Sequence, residues 1–331
     1  MPFPSSNRSE NENGMFDKEL AVISVALLFA SIFSFSFNVH PVKAQADLEF
    51  SDGFESGWDI WTYDSPYRYE IQTPHLDHGP WGTSGTNYTL ESVIVHSGGY
   101  AAKFTLPAIM NSWANVYKTI NYTRTLYMSG WFMFDASIPI GSYLLVGPCI
   151  CGYSDRDLVC GYLYNSNGTL KWSMQYYTNA GPYYGDGNFA TSDLGPNVQI
   201  NVWYNVQVMV TVSTNGSGEA AMWAMQQGQG QFTEIAHVTG LTNDGDRGPN
   251  GEIGVRNLQV GPYVPYTWAS SLQQAFAVTA WYDDTFASTT FISVDAIPEF
   301  SSFAFFAMFI LSSVVILGTL RLKSLKSKPR R

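Results

Sequence analysis

Cys149, Cys151 and Cys160 are the three cysteines of this 331-residue chain. In an oxidising compartment two of them would pair. The segment ICGYSDRDLVC reads as two strands around Ser154-Asp155-Arg156-Asp157, which would bring Cys151 or Cys149 opposite Cys160 and leave an odd thiol. Zinc is the competing chemistry, but Cys-x-Cys plus one further Cys lacks a fourth ligand and the usual spacing. His75-Leu76-Asp77-His78 has metal-ligating residue types; the adjacent Pro74, Gly79 and Pro80 mark a loop, where histidine is usually solvated. Asn243-Asp244-Gly245-Asp246 matches the start of a calcium loop, yet the twelfth position from Asn243 is Gly254 where that loop needs Glu, so the stretch reads as a turn. Glycoside cleavage typically uses two carboxylates flanking the scissile bond. The large-residue runs 126–134, 169–177 and 202–212 contain no Asp and no Glu, and no Gly-x-Ser-x-Gly elbow occurs anywhere.

Binding chemistry has more to offer. Sugars are commonly held by stacking one ring face on an aromatic side chain, with nearby amides bonding the hydroxyls. Trp81 lies in HGPWGTSG, Tyr183 and Tyr184 in AGPYYGDG, and Tyr263, Tyr266 and Trp268 in GPYVPYTW. An exposed ring among Gly and Pro is unfavourable unless a partner covers it, so these six are the expected ligand-binding residues. Trp58, Trp61, Trp131, Trp203 and Trp223 fall in regular segments and are assigned to the core or to sheet faces.

The elements that must position these groups are strands. No long stretch of helical period occurs between residues 47 and 297, whereas short alternating segments divided by turn residues recur. Residues 100–106 follow Ser97-Gly98-Gly99. Residues 158–164 and 169–177 flank Asn165-Ser166-Asn167-Gly168, a hairpin signal. In 202–212, Val202, Tyr204, Val206, Val208, Val210 and Val212 alternate with Trp203, Asn205, Gln207, Met209 and Thr211, as one buried and one less apolar face require. Asn215-Gly216-Ser217-Gly218 then turns the chain into 219–225. About a dozen strands in this length predict one all-β sandwich.

Charge and hydropathy place that domain. The whole chain carries 17 basic and 27 acidic residues, a net charge of −10. Between Asp47 and Ile297 there are 8 bases and 22 acids, and 8 − 22 = −14. Nucleic-acid binding needs a basic face, so no nucleic-acid partner is expected. Residues 20–37 form an apolar run, followed by Ala44-Gln45-Ala46. That pattern predicts a signal segment over 1–46 cleaved after Ala46, with an uncleaved anchor as the alternative; a start at Met15 would give a shorter leader. Residues 300–320 are a second apolar run, long enough to span a bilayer. RLKSLKSKPRR follows it, and bases beside a span stay on the cytoplasmic side. The expected organisation is therefore a signal segment (1–46), an extracellular domain (47–297) and a membrane-anchoring segment (298–331).

Pro298-Glu299-Phe300, one span and a basic tail together resemble the PEF-type C-terminal sorting signals of archaeal surface proteins. The resemblance implies cleavage near the motif and transfer to a surface anchor; unsorted, the span would remain as a transmembrane helix. Within the domain, the opening Phe50-Ser-Asp-Gly-Phe-Glu-Ser-Gly-Trp58, the middle His96-Ser-Gly-Gly-Tyr-Ala-Ala-Lys-Phe104 and the closing Trp281-Tyr282-Asp283-Asp284 resemble the concanavalin A-like jelly rolls of the laminin-G and lectin/glucanase group. The implied fold is an all-β, two-sheet antiparallel jelly-roll sandwich with first and last strands adjacent. That adjacency would cluster Asp52, Glu55, Asp283 and Asp284. Clustered carboxylates repel unless a cation or hydrogen-bond donors compensate, and Ca²⁺ suits such a set. The resemblance implies a structural Ca²⁺ on Glu55 and Asp283, with Asp52 and Asp284 as further ligands; no organic cofactor is expected.

The Glu-x-Asp-x-x-Glu strand of laminarinase-type jelly-roll glycosidases is absent. Lyases on this fold use Tyr, His, Arg and Gln on the concave face; Gln175 and Tyr177 share one strand here, Tyr204 and Gln207 another, with no His or Arg on either. The expected function is a surface-anchored, non-catalytic carbohydrate-binding domain whose partner is a glycan or extracellular matrix component. A structural or adhesion role without a glycan ligand and a polysaccharide lyase are the alternatives.

Overall fold

The computed structural model describes residues 48–61, 81–152, 157–178, 189–243, 254–265 and 270–293. Among them are sixteen β-strands, numbered along the chain, and no helix. The strands form two eight-stranded sheets. Sheet one runs, in spatial order, β13 (Thr233–Leu241), β12 (Gly218–Gln226), β11 (Tyr204–Thr211), β6 (Thr125–Asp135), β16 (Val278–Ser288), β4 (Ala101–Leu106) and β3 (Asn87–Glu91), with β1 (Leu48–Asp52) added on β16. Sheet two runs β10 (Phe189–Thr191), β9 (Thr169–Tyr177), β8 (Asp157–Ser166), β7 (Tyr143–Cys151), β14 (Val255–Val260), β5 (Ser112–Thr123) and β15 (Tyr263–Val264), with β2 (Trp81–Gly82) on β5. Every named pairing is antiparallel.

Alternation decides which residues meet between the sheets. Tyr204, Val206, Val208 and Val210 of β11 join Leu126, Met128, Phe132 and Phe134 of β6 in the core, and Leu144, Val146, Leu163, Trp172, Met174 and Leu258 close it from sheet two. Each such large apolar side chain stabilises the fold by roughly 1.5–3 kcal/mol on burial. The hairpin signal at 165–168 is realised: β8 and β9 pair from Ser166↔Thr169 onward, with Asn167 and Gly168 both at positive φ (54° and 86°), as a primed two-residue turn demands. At the 215–218 turn, the Ser213 hydroxyl accepts from the Asn215 and Ser217 amides. The end-to-end pairing implied by the resemblance is present, with Ser51 opposite Phe286 and Asp52 opposite Thr285.

The sequence expectation for the cysteines narrows to one pair. Cys149 faces Cys160 in the β7–β8 register and forms a disulfide with it. Cys151 instead faces Asp157 and keeps a buried thiol. Gln175 lies in sheet two whereas Tyr204 and Gln207 lie in sheet one, so the two lyase-type sets do not share a face. Tyr177 is packed with the core, and so is Tyr204. The signal segment (1–46), His75, Asp77, His78, the PEF motif (Pro298, Glu299, Phe300) and the apolar run 300–320 lie outside the described residues.

Candidate functional site

The four acids singled out in the sequence do converge, at one corner of sheet one. The chain turns after β1, and Asp283 and Asp284 sit where the β16 register shifts, Asp284 at φ +43°. The segment 96–100 arches over them and supplies donors. Asp283 is fully buried; its Oδ2 accepts the backbone N–H groups of His96 (3.0 Å) and Ser97 (3.1 Å), and its Oδ1 accepts that of Asp284 (2.8 Å). Asp284 takes the Ser97 hydroxyl at 2.9 Å and the His96 ring Nδ1 at 3.0 Å. Glu55 Oε1 accepts Gly99 N–H (2.7 Å) and Tyr100 N–H (3.0 Å). Asp52 is committed elsewhere, to the Trp61 indole N–H and the Phe54 backbone N–H.

Burial and the neighbouring Asp284 push the Asp283 carboxyl up to about 8, against the pull of the three backbone donors. Burial likewise raises Asp52. Gly53 marks a gap between the acids: a Cβ there would sit 3.3 Å from Asp284 Oδ1, 3.8 Å from Asp283 Oδ1 and 3.9 Å from Glu55 Cγ. Oxygens of Asp283 and Asp284 thus border the space beside Gly53, while the Glu55 carboxylate is turned to the Gly99 and Tyr100 amides.

A second, polar surface lies on the outer face of sheet two, and strand register alone lays it out in rows. Tyr143, Tyr164 and Lys171 form the first row across β7, β8 and β9. Trp113, Tyr263, Leu145, Tyr162 and Ser173 form the second. Tyr117, Gln259, Cys149, Cys160, Gln175 and Thr191 form the third. Trp113, Tyr117, Tyr143, Tyr164, Lys171 and Tyr263 are part-exposed, whereas Tyr162, Ser173, Gln175 and Gln259 are buried beneath them. The Cys149–Cys160 disulfide ties the floor together, and Leu145, Cys151 and Tyr162 pack around it. Tyr143 and Tyr164 lie with ring centroids 4.4 Å apart.

The electrostatics of this face favour protonated groups. Burial and the adjacent Tyr164 raise the Tyr143 phenol, and burial holds Tyr162 well above the usual tyrosine range. Burial also pushes Asp157 up to about 6, partly offset by the Cys151 thiol that donates to it at 3.4 Å. Phenols kept protonated donate hydrogen bonds well and serve poorly as bases. No pair of carboxylates occupies the three rows.

The loop aromatics fare unevenly. Tyr263 belongs to a short strand rather than a loop, because the backbone of β15 adds onto β5 and β7; its hydroxyl donates to Asn111 Oδ1 at 2.7 Å. Trp81 opens β2, opposite Asn115. Tyr183, Tyr184, Tyr266 and Trp268 lie outside the described residues. The sequence reading missed Tyr143, Tyr162, Tyr164, Lys171 and Gln259. The signal available was the Tyr162-Leu163-Tyr164 alternation in β8; β7 shows none. Asn243 has a structural part: its side chain bonds Ser213 N–H (2.9 Å) and Thr211 C=O (3.2 Å).

No protein-family model matches the chain, and no curated protein matches it by sequence. Solved structures do. An endo-β-1,4-glucuronan lyase from the fungus Trichoderma reesei superposes with a TM-score of 0.51 at 16% identity, covering 74% of this chain and 97% of that one. The PL-14 alginate lyase from Aplysia kurodai matches with a TM-score of 0.43 at 11% identity, over 64% and 89%. The cellulose-induced protein Cip1 matches at 0.38 and 15%, over 74% and 99%. At such identity the first of these likenesses shows the fold alone, an antiparallel jelly-roll sandwich.

Proposed function

We propose that this chain is a surface-anchored carbohydrate-binding jelly roll that holds a polysaccharide on the outer face of sheet two. The observation that carries the reading is the half-open arc of Tyr143, Tyr164, Lys171, Tyr263, Trp113 and Tyr117 over the buried amides of Gln175 and Gln259. Rings supply faces for stacking, amides and protonated phenols bond hydroxyls, and Lys171 offers a charge for an acidic sugar. A cleaving function would need a base, and the two shifted phenols are shifted away from ionisation. Affinity electrophoresis through a panel of neutral and uronate polymers tests the reading: retardation by at least one polymer is expected, and migration unchanged across the panel would leave only a structural or adhesion role.

A polysaccharide lyase is the second reading. It draws on the register pairing of Lys171 with Tyr164, a cation beside a phenol, and on the glucuronan-cleaving activity named for the similar fungal structure. Incubation with glucuronan and alginate separates it, since β-elimination creates an unsaturated uronate that absorbs in the ultraviolet.

The acid corner is assigned to a structural Ca²⁺ held by Glu55, Asp283 and Asp284, with Asp52 behind them. Binding would fasten the turn after β1 to the middle of β16. The export signal over 1–46 and the sorting motif Pro298-Glu299-Phe300 complete the proposal: the sandwich faces outside, tethered by 298–331.

A further inference from the structure

A separate aromatic surface occupies the outer face of sheet one. Tyr127 on β6, Trp223 on β12, Phe232 before β13 and Phe291 after β16 converge there. Phe291 stands 5.2 Å from Trp223, 5.8 Å from Phe232 and 6.0 Å from Tyr127, and Tyr127 lies 6.2 Å from Trp223, all between ring centroids. Phe291 is 41% exposed and the other three are part-exposed. Four partly open rings in contact form a larger apolar patch than scattered surface residues do.

This patch is also where the described chain ends. After β16, Ile292 is buried against the face and its N–H donates to Gln207 Oε1 of β11 at 2.9 Å. Ser293 therefore leaves the sandwich over sheet one, on the side away from the phenol rows. Residues 294–299 alone separate Ser293 from the apolar run 300–320. Fully extended, that link reaches about 24 Å. A domain of this length has a radius of gyration of about 18 Å. A tether that short favours the face it leaves from as the one turned toward whatever holds the run.

We propose that Tyr127, Trp223, Phe232 and Phe291 form a membrane-resting patch that sits in the lipid headgroup layer and points the phenol face of sheet two away from the bilayer. The proposal rests on reading 300–320 as a membrane span. Aromatic rings with polar edges favour the headgroup region, where one part of the ring is dry and the other wet. Glu219 and His237 lie 3.3 Å apart on the same face, and Glu234 stands opposite Trp223, so polar groups rim the patch.

Tryptophan fluorescence of the full chain in phosphatidylcholine–phosphatidylglycerol vesicles tests it, with acyl chains brominated near the headgroups as quencher. All ten tryptophans lie between residues 58 and 281, so the apolar runs contribute none. Part of the emission is quenched, and Trp223→Phe shrinks that quenched fraction at least twofold, while Trp113→Phe on the opposite face leaves it intact. Chain retained in the vesicles after alkaline carbonate, yet unquenched or quenched equally in Trp223→Phe, overturns the proposal alone. Chain stripped by carbonate overturns the span, and the proposal with it. Thermal melting of both variants confirms that they fold.

Discussion

Asp157, like Asp283, is a side chain whose protonation the fold controls through burial, which pushes its carboxyl up to about 6. The native state keeps the proton more tightly than an unfolded chain, where a carboxyl titrates near about 3.9. Its contribution to stability is therefore greatest below both values and falls as pH climbs from about 4 to about 6. Asp157→Asn should make that part of the melting-temperature profile less steep, leaving the slope that Asp283 contributes; an unchanged slope would mean the carboxyl is not buried as described. On the same face, Tyr164→Ala should weaken polysaccharide binding about tenfold, the scale of one lost stacking contact, without lowering the melting temperature by more than a few degrees. Titration against the retarding polymer measures this. These residues were hard to find in the sequence for a physical reason. β7 is buried at every position from Leu144 to Cys151, so period-two alternation could not distinguish a functional face from the core.

Elements were more legible than sites. The alternation of 202–212 and the Asn167-Gly168 turn identified β11 and the β8–β9 hairpin because each has one conformational solution. The acid corner was legible only through the resemblance, since Glu55 and Asp283 are 228 positions apart (283 − 55) and come to the same corner because β1 adds onto β16. If that corner binds Ca²⁺, a hundredfold excess over its dissociation constant should raise the melting temperature by about 5–10 °C. Chelator should reverse the rise, and Glu55→Gln with Asp283→Asn should abolish it; equal midpoints with and without Ca²⁺ would remove the ion from the account. The link between β14 and β15 gives a test independent of any ligand. Gly261 has φ +143°, and a Cβ there would overlap the Ala114 carbonyl oxygen and lie 2.6 Å from Asn115 Oδ1. Gly261→Ala should cost at least about 2 kcal/mol in denaturant unfolding; a smaller loss would mean that β5 shifts freely at that point.

At the scale of the whole molecule, the two outer faces are unlike. Sheet one's has an aromatic centre capped by its own segments, with Ser129, Asn205 and Gln207 buried in it: His96 stacks on Trp131 at 3.7 Å, and Ile292 is buried among Trp131, Trp203 and Trp281. Sheet two's is rich in phenols and amides, with part-exposed rings at its margin. A sandwich needs apolar residues only between its layers, so the difference between its outer faces needs a reason beyond folding. On the proposed function, one face serves the anchor side and the other a glycan. Hydroxyl-radical footprinting of aromatic side chains, with and without the polymer that retards the chain, tests this division most directly. Oxidation of Tyr143, Tyr164 and Tyr263 should slow several-fold on binding, while Tyr127, Trp223 and Phe291 remain unchanged. Protection of the sheet-one rings with none on sheet two would contradict the assignment of the glycan site.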